Sequence, residues 1–159
     1  MPKNNSRLPV IILIALVLIS FAATAVINLI DFNDYVAADV LEVSGTTVIL
    51  GSNCTAIVSD TSPERAQAIE SGMAAIIDGR PNTYDVFAET LRSFNISLDY
   101  VTLDSYANGT YYANLFLKTD AKTLKMDVKP SDGIALALRT NSTVYINKTL
   151  LNEMGSNIC

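Results

Sequence analysis

The sequence predicts a single small α+β domain, with a mixed, largely antiparallel sheet packed by helices, preceded by one transmembrane helix. Short β-branched or alternating segments occur throughout residues 40–155, and helical patterns interrupt them without the strict alternation of a parallel α/β fold. Residues 8–30 carry no charged side chain, and about 23 residues suffice to cross ~30 Å of hydrocarbon. With 159 residues the chain has room for about one domain.

The charges on either side of this apolar run predict its orientation. Basic residues precede the run and acidic residues follow it: Lys3, Arg7, Asp31, Asp34 and Asp39. By the positive-inside rule we expect residues 1–7 in the cytoplasm, residues 8–30 as a single-pass anchor in the cell membrane, and the domain outside. A cleaved signal peptide is the alternative, because Ala23-Thr24-Ala25 has the form of a cleavage site. Both interpretations export the domain.

Two residue types bear on the compartment. Asn-x-Ser/Thr acceptors suggest a glycoprotein, although an Asn- and Thr-rich surface would also contain them by chance; they begin at Asn53, Asn95, Asn108, Asn141 and Asn147. The cysteines are Cys54 and Cys159, which could pair in an oxidising exterior or remain free or intermolecular thiols. Their spacing does not indicate a structural zinc site.

The first part of the domain reads as strands followed by a helix. We expect residues 31–39 to be a polar linker, and residues 40–43 and 46–50 to form a hairpin around Ser44-Gly45. A third strand follows at residues 54–58. Ser62-Pro63-Glu64 then marks a helix start, and the helical spacing of apolar residues predicts that the helix continues to Gly79; these are Ala66, Ile69, Met73, Ile76 and Ile77.

The remainder alternates between the two element types. A second helix is predicted from Thr83, followed by strands at residues 96–104 and 111–117 around the tight-turn signal Asn108-Gly109. The alternation of Leu124, Met126 and Val128 predicts another strand that carries Asp127 and Lys129 on its opposite face. A helix then starts at Pro130, and the last elements are a strand at residues 143–146, a helix at 148–154 and a tail at 156–159.

The chain contains no histidine, which excludes histidine bases, histidine metal ligands and Ser-His or Cys-His nucleophilic pairs. Hydrolysis would therefore depend on carboxylates, in the simplest case holding a divalent cation such as Mg²⁺ or Mn²⁺. The candidate carboxylates are Asp85, Asp127 and Asp132, and Arg80 and Lys129 are candidate phosphate-binding cations. Each also has a structural interpretation: Asp132 as a helix cap, Asp127 as an exposed strand residue, Asp85 as a cap or ion pair, and Arg80 as a partner of helical carbonyls.

Three segments in order carry a family resemblance. Residues 127–139 read Asp-Val-Lys-Pro-Ser-Asp-Gly-Ile-Ala-Leu-Ala-Leu-Arg, residues 80–85 read Arg-Pro-Asn-Thr-Tyr-Asp, and residues 108–113 read Asn-Gly-Thr-Tyr-Tyr-Ala. Together they resemble the bifunctional nuclease family over about residues 40–155. The resemblance implies cleavage of DNA and RNA, and the polar signature positions of the family match Arg80, Asp85, Asp127, Lys129, Ser131 and Asp132. With the argument from carboxylates above, we predict catalytic Asp85, Asp127 and Asp132, substrate-binding Arg80, Lys129 and Ser131, and a metal held by Asp127 and Asp132.

Two positions depart from the family pattern. Lys129 replaces an arginine and so removes bidentate phosphate binding, and Tyr84 replaces a histidine that could transfer a proton.

The domain has a negative net charge. Without Lys3 and Arg7, nine of the 11 basic residues remain against 16 acidic ones, so the net charge of the domain is near −7. Such a domain is a poor non-specific partner for a polyanion. The alternatives are a non-catalytic binding module or oligomeric scaffold that keeps the fold, and a small-molecule sensor. Edge strands and an apolar helix also predict a homo-oligomer.

Overall fold

A computed structural model of the protein describes residues 31–159; the anchor predicted at residues 8–30 lies outside this part of the chain. The strands are β1 Tyr35–Ser44, β2 Thr47–Ser52, β3 Thr55–Asp60, β4 Ser97–Ala107, β5 Thr110–Lys118, β6 Thr123–Val128, β7 Thr143–Asn147 and β8 Ser156–Asn157. The helices are α1 Pro63–Met73, α2 Thr83–Ser93, α3 Pro130–Thr140 and α4 Lys148–Met154. None of these helices is long and apolar enough to cross a membrane.

All eight strands belong to one sheet, in the order β6-β5-β4-β7-β1-β2-β3-β8. Neighbouring strands are antiparallel except β4 and β7, which run parallel. After the antiparallel strands β5 and β6, the chain crosses through α3 and returns as β7 on the other side of β4. This confirms the prediction of a small α+β domain with a mixed, largely antiparallel sheet.

The core lies between one face of the sheet and the helices. Gly133 to Ala137 of α3 are all buried, and α3 packs on α1, α2, β4 and β5. Gly133 permits this contact, because a Cβ atom there would lie 2.9 Å from Cγ1 of Val101 in β4. The other face of the sheet carries an aromatic cluster in which Phe32 packs edge-on against Tyr100 and Tyr145.

Two predicted boundaries were wrong. Tyr35–Asp39 is not a linker, because these residues belong to β1 and pair with β7 or β2. The first helix ends at Met73 rather than Gly79, so Ile76 and Ile77 are 55% and 59% exposed instead of packed. Ala75 adopts a left-handed conformation (φ 52°), and the amide of Ile76 donates to the carbonyl of Ser71. This is a Schellman ending with alanine where glycine is usual, so the sequence did not signal it.

The cysteines pair with each other. Cys54, in the turn before β3, forms a disulfide with Cys159, and their Cα atoms are 5.2 Å apart. The segment predicted as a tail contributes β8, which pairs antiparallel with β3 at Thr55 and Ala56. The carboxyl end of the chain is therefore fixed to one edge of the sheet.

Candidate functional site

Asp132 is the centre of a polar cluster where three helices meet. It lies in the first turn of α3, and its Oδ1 atom accepts hydrogen bonds from Arg65 Nε at 2.8 Å and from the Tyr84 hydroxyl at 2.7 Å. Arg65 belongs to the first turn of α1 and Tyr84 to the first turn of α2. The side chains of Arg65 and Asp132 are 32% and 29% exposed. We call Arg65, Tyr84 and Asp132 the Asp132 cluster.

The surroundings keep Tyr84 protonated. Burial, the hydrogen bond to the Asp132 carboxylate and the negative charge of that carboxylate together raise the pKa of Tyr84 to about 12. At neutral pH the hydroxyl is therefore a hydrogen-bond donor. It cannot replace the proton-accepting histidine that the family resemblance leads one to expect at this position.

Two grooves flank the Asp132 cluster. The strand-side groove, of about 380 Å³, has an apolar wall and a polar one. The apolar wall includes Leu50, Ile57 and Ile134, and the polar wall includes Ser59, Ser62, Arg65, Tyr111, Lys129 and Ser131. The helix-side groove, of about 660 Å³, is lined by residues that include Arg65, Asp78, Arg80, Asn82, Tyr84 and Asp132. The three segments that carry the family resemblance lie far apart in the chain, and all of them contribute to these two grooves.

The strand-side groove is suited to an anion. Arg65 and Lys129 line it together with the hydroxyl groups of several serines and threonines, and the one carboxylate in its lining, Asp60, accepts a hydrogen bond from the Thr47 hydroxyl at 2.7 Å. Lys129 is exposed and is the N-cap residue of α3, whose positive dipole end adds to its charge. Arg65 is paired with Asp132, so Lys129 and the amino end of α3 are the groups left to attract an anion in this groove.

Asp85 lies outside both grooves. Its carboxylate caps α2 by accepting from the Asn82 amide at 2.8 Å, and it forms an ion pair with Arg139 in which the side chains are 10% and 7% exposed. Burial works against its ionisation, but the hydrogen bond from Asn82 and the Arg139 guanidinium together lower the pKa of Asp85. The structural interpretation of Asp85, as a cap and an ion pair, accounts for these contacts.

Asp127 is also separate from the Asp132 cluster. It is exposed on β6 opposite Asn114, whereas its neighbour Val128 faces Gly133 of α3. Because strand side chains alternate between faces, Asp127 lies on the side of the sheet away from the helices. The structure therefore does not bring Asp85, Asp127 and Asp132 together, and residues 31–159 contain no group of three or more Cys, Asp or Glu residues placed to hold a metal ion.

Arg65 was not among the site residues predicted from the sequence. A cation in the first turn of a helix is opposed by the positive end of the helix dipole, so its position after Ser62-Pro63-Glu64 was a signal that it needs a carboxylate partner. That signal does not identify the partner, because Asp132 is 67 positions away in the chain. Arg80 and Ser131, which were predicted, line the helix-side and strand-side grooves respectively.

Comparisons with known proteins match most of the domain. An uncharacterised protein of Mycobacterium tuberculosis (strain H37Rv) is 29% identical over 90 residues, which cover 57% of this chain and 53% of that protein. Bifunctional nuclease 1 of Oryza sativa subsp. japonica is 27% identical over 79 residues, 48% of this chain and 24% of that protein. The chain thus spans about half of the first relative and about a quarter of the second. The family model described as the bifunctional nuclease domain matches residues 56–158, so the chain belongs to the bifunctional nuclease domain family.

Proposed function

We propose that the protein hydrolyses phosphodiester bonds of DNA or RNA at the Asp132 cluster. The observation that carries the proposal is the convergence of the three family segments on the two grooves beside Asp132. The name of the rice relatives, bifunctional nuclease, supports the same reaction class.

The residues of the grooves have complementary roles in this proposal. Lys129 and the Ser131 hydroxyl bind a phosphate in the strand-side groove, and Arg80 binds the adjoining backbone from the helix-side groove. Asp132 acts as the general base: its carboxylate takes a proton from the attacking water while the water oxygen bonds to phosphorus. The bond between phosphorus and the leaving sugar oxygen breaks, and that oxygen takes a proton from solvent. Arg65 offsets the charge that develops on the phosphate. Tyr84 holds Asp132 in place, since its hydroxyl donates to the carboxylate.

The predicted metal pair does not fit this geometry. Oδ1 of Asp132 already accepts from Arg65 and Tyr84, and Asp127 lies on the other face of the sheet. The proposed reaction therefore assigns no role to Mg²⁺ or Mn²⁺ at Asp127 and Asp132. A requirement for either ion stays a prediction that the nuclease assay tests.

The proposal is tested by cleavage of single-stranded DNA and RNA with Mg²⁺, Mn²⁺, Ca²⁺ or EDTA. We expect Asp132→Asn to lower the rate by roughly 10²-fold or more, the usual contribution of a general base, and Lys129→Ala to weaken substrate binding. Asp127→Asn is the matched control, because it removes a carboxylate that lines neither groove, and its rate should equal that of the wild type. Full activity in Asp132→Asn, or an equal loss in Asp127→Asn, would contradict the proposed site.

A non-catalytic binding module is the second candidate. It is favoured by one observation, that Asp85 and Asp132 are both engaged in ion pairs with arginines. In that case no condition supports cleavage, yet an oligonucleotide binds with an affinity that falls as salt rises and that Lys129→Ala weakens.

We further propose that residues 8–30 anchor the domain on the outer side of the cell membrane. Three features support this location: the uncharged run, the basic residues before it, and the disulfide, because disulfides persist in oxidising compartments. Alkaline extraction of membranes should leave the protein in the pellet, and protease added outside intact cells should degrade it. Amino-terminal sequencing of the mature protein separates an anchor from a cleaved signal peptide.

A further inference from the structure

The two edges of the sheet are finished differently. At one edge β8 pairs with the start of β3, and the Cys54–Cys159 disulfide closes that end. At the other edge β6 pairs with β5 on its inner side, and within residues 31–159 no strand pairs with its outer side. An edge strand of this kind presents a row of backbone donors and acceptors to another chain.

The side chains of β6 are only partly covered. Leu124 and Met126 lie on the helix side of the sheet but remain 47% and 41% exposed, because α3 packs over β4 and β5 instead. Lys125 and Asp127 lie on the opposite face, where Nζ of Lys125 is 5.7 Å from the ring centroid of Phe116. One face of the edge is thus apolar, and the other carries one charge of each sign.

We propose that β6 pairs antiparallel with β6 of a second copy of this chain, around a two-fold axis at Met126. In this register Lys125 of each copy lies opposite Asp127 of the other, and Leu124 lies opposite Val128. The two Met126 side chains face each other. In this register each apolar residue of β6 lies opposite an apolar residue, and each charged residue of β6 lies opposite one of the other sign. The two sheets become continuous across the interface.

The sequence of β6 distinguishes this register from its neighbours. A two-fold axis at Lys125 would place the two Lys125 side chains opposite each other. A two-fold axis at Asp127 would place the two Asp127 carboxylates opposite each other and Lys125 opposite Lys129. Like charges opposite each other destabilise strand pairing. An axis at Leu124 engages only the first half of the strand. The balanced charges also favour a second copy over a polyanion as the occupant of this edge.

Cysteine cross-linking of the full-length protein tests the register. Cα atoms of directly opposed residues lie about 4.5–5.5 Å apart, within disulfide range, so Met126→Cys should form a covalent dimer on mild oxidation. Leu124→Cys is the matched control from the same face of the same strand. Its two copies would lie roughly 14 Å apart, because four residues at ~3.4 Å each separate them along the strand, and they should not cross-link. The native cysteines are already bonded to each other.

Charge exchange tests the contact by a second readout, the dimer dissociation constant from sedimentation. Lys125→Glu or Asp127→Lys alone turns two opposite-charge pairs into two like-charge pairs, and should raise the dissociation constant roughly tenfold. The double variant should restore wild-type association. A monomeric wild type, equal cross-linking of Met126→Cys and Leu124→Cys, or a double variant no better than either single one would overturn the proposal.

Discussion

Arg139 shows how a single side chain can connect three helices. Its guanidinium pairs with Asp85 of α2 and donates to the carbonyl of Ala68 in α1 at 2.8 Å and of Ala135 in α3 at 2.9 Å. Its role depends on tertiary contacts that no local pattern records.

We expect Arg139→Ala to lower the free energy of unfolding by about 3–5 kcal/mol, because it leaves the carboxylate of Asp85 buried without its partner. Arg92→Ala is the control: Arg92 pairs with Glu89, but these side chains are 62% and 66% exposed, so its removal should cost no more than about 0.5 kcal/mol. Urea unfolding measures both. Equal effects of the two substitutions would show that the Asp85 pair is not structurally important.

Asp85 also predicts a pH dependence. Its pKa lies below the ordinary value of 3.8, because the bonds from Asn82 and Arg139 outweigh the effect of burial. A carboxyl group whose pKa is lower in the folded than in the unfolded state stabilises the folded state to its full extent above the unfolded pKa. This stabilisation is lost as the pH falls through the folded pKa. We expect the wild type to lose more unfolding free energy than Asp85→Asn as the pH is lowered below about 4. Parallel pH profiles of the two proteins would contradict this.

The asparagines of the Asn-x-Ser/Thr acceptors have a backbone explanation. Four of them have positive φ angles of 52–54°, and these are Asn53, Asn95, Asn108 and Asn141. Asn147 instead caps α4, with its side chain accepting from the amides of Thr149 and Leu150. Asparagine tolerates the left-handed conformation better than most residues, so turn geometry accounts for these positions.

At the scale of the element, the helix starts differ in how they are capped. Asn82 caps α2 in a reciprocal capping box with Asp85, whereas Ser62 precedes α1 without a side-chain cap hydrogen bond. Ser62-Pro63-Glu64 predicted the start of α1, and the start of α2 was predicted at Thr83 without a role for Asn82. Both sequences are compatible with a cap, and only the side-chain rotamer decides whether the bond forms.

We expect Asn82→Ala to destabilise the protein by about 1 kcal/mol, the usual value of an N-cap, and Ser62→Ala to change stability by less than about 0.5 kcal/mol. The free energies of unfolding of the two variants, measured side by side in urea, give the comparison. A larger loss in Ser62→Ala than in Asn82→Ala would mean that the caps are assigned the wrong way round.

At the scale of the whole molecule, the Cys54–Cys159 bond joins residues 105 positions apart and fixes the carboxyl end to the sheet. Closing so long a loop restricts the unfolded chain, and the loss of such a bond costs about 2–5 kcal/mol. Reduction should therefore lower the urea midpoint of the wild type. The urea midpoint of a Cys54→Ser/Cys159→Ser double variant should lie near that of the reduced wild type, and reductant should not change it. A change would indicate that the reductant acts elsewhere in the protein.

The sequence by itself determined the local elements: alternation located β5 and β6, the Pro130 turn located α3, and the mixture of helices and strands indicated the α+β class. These signals are local, because strand and helix periods, caps and turns depend on residues a few positions apart. The tertiary structure decided which polar groups meet. Arg65 reaches Asp132 across 67 positions, while Asp127, five residues before Asp132, lies on the other face of the sheet. Strand order and packing set such contacts, and the hydrophobic burial that drives packing is non-directional, so sequence spacing does not encode them.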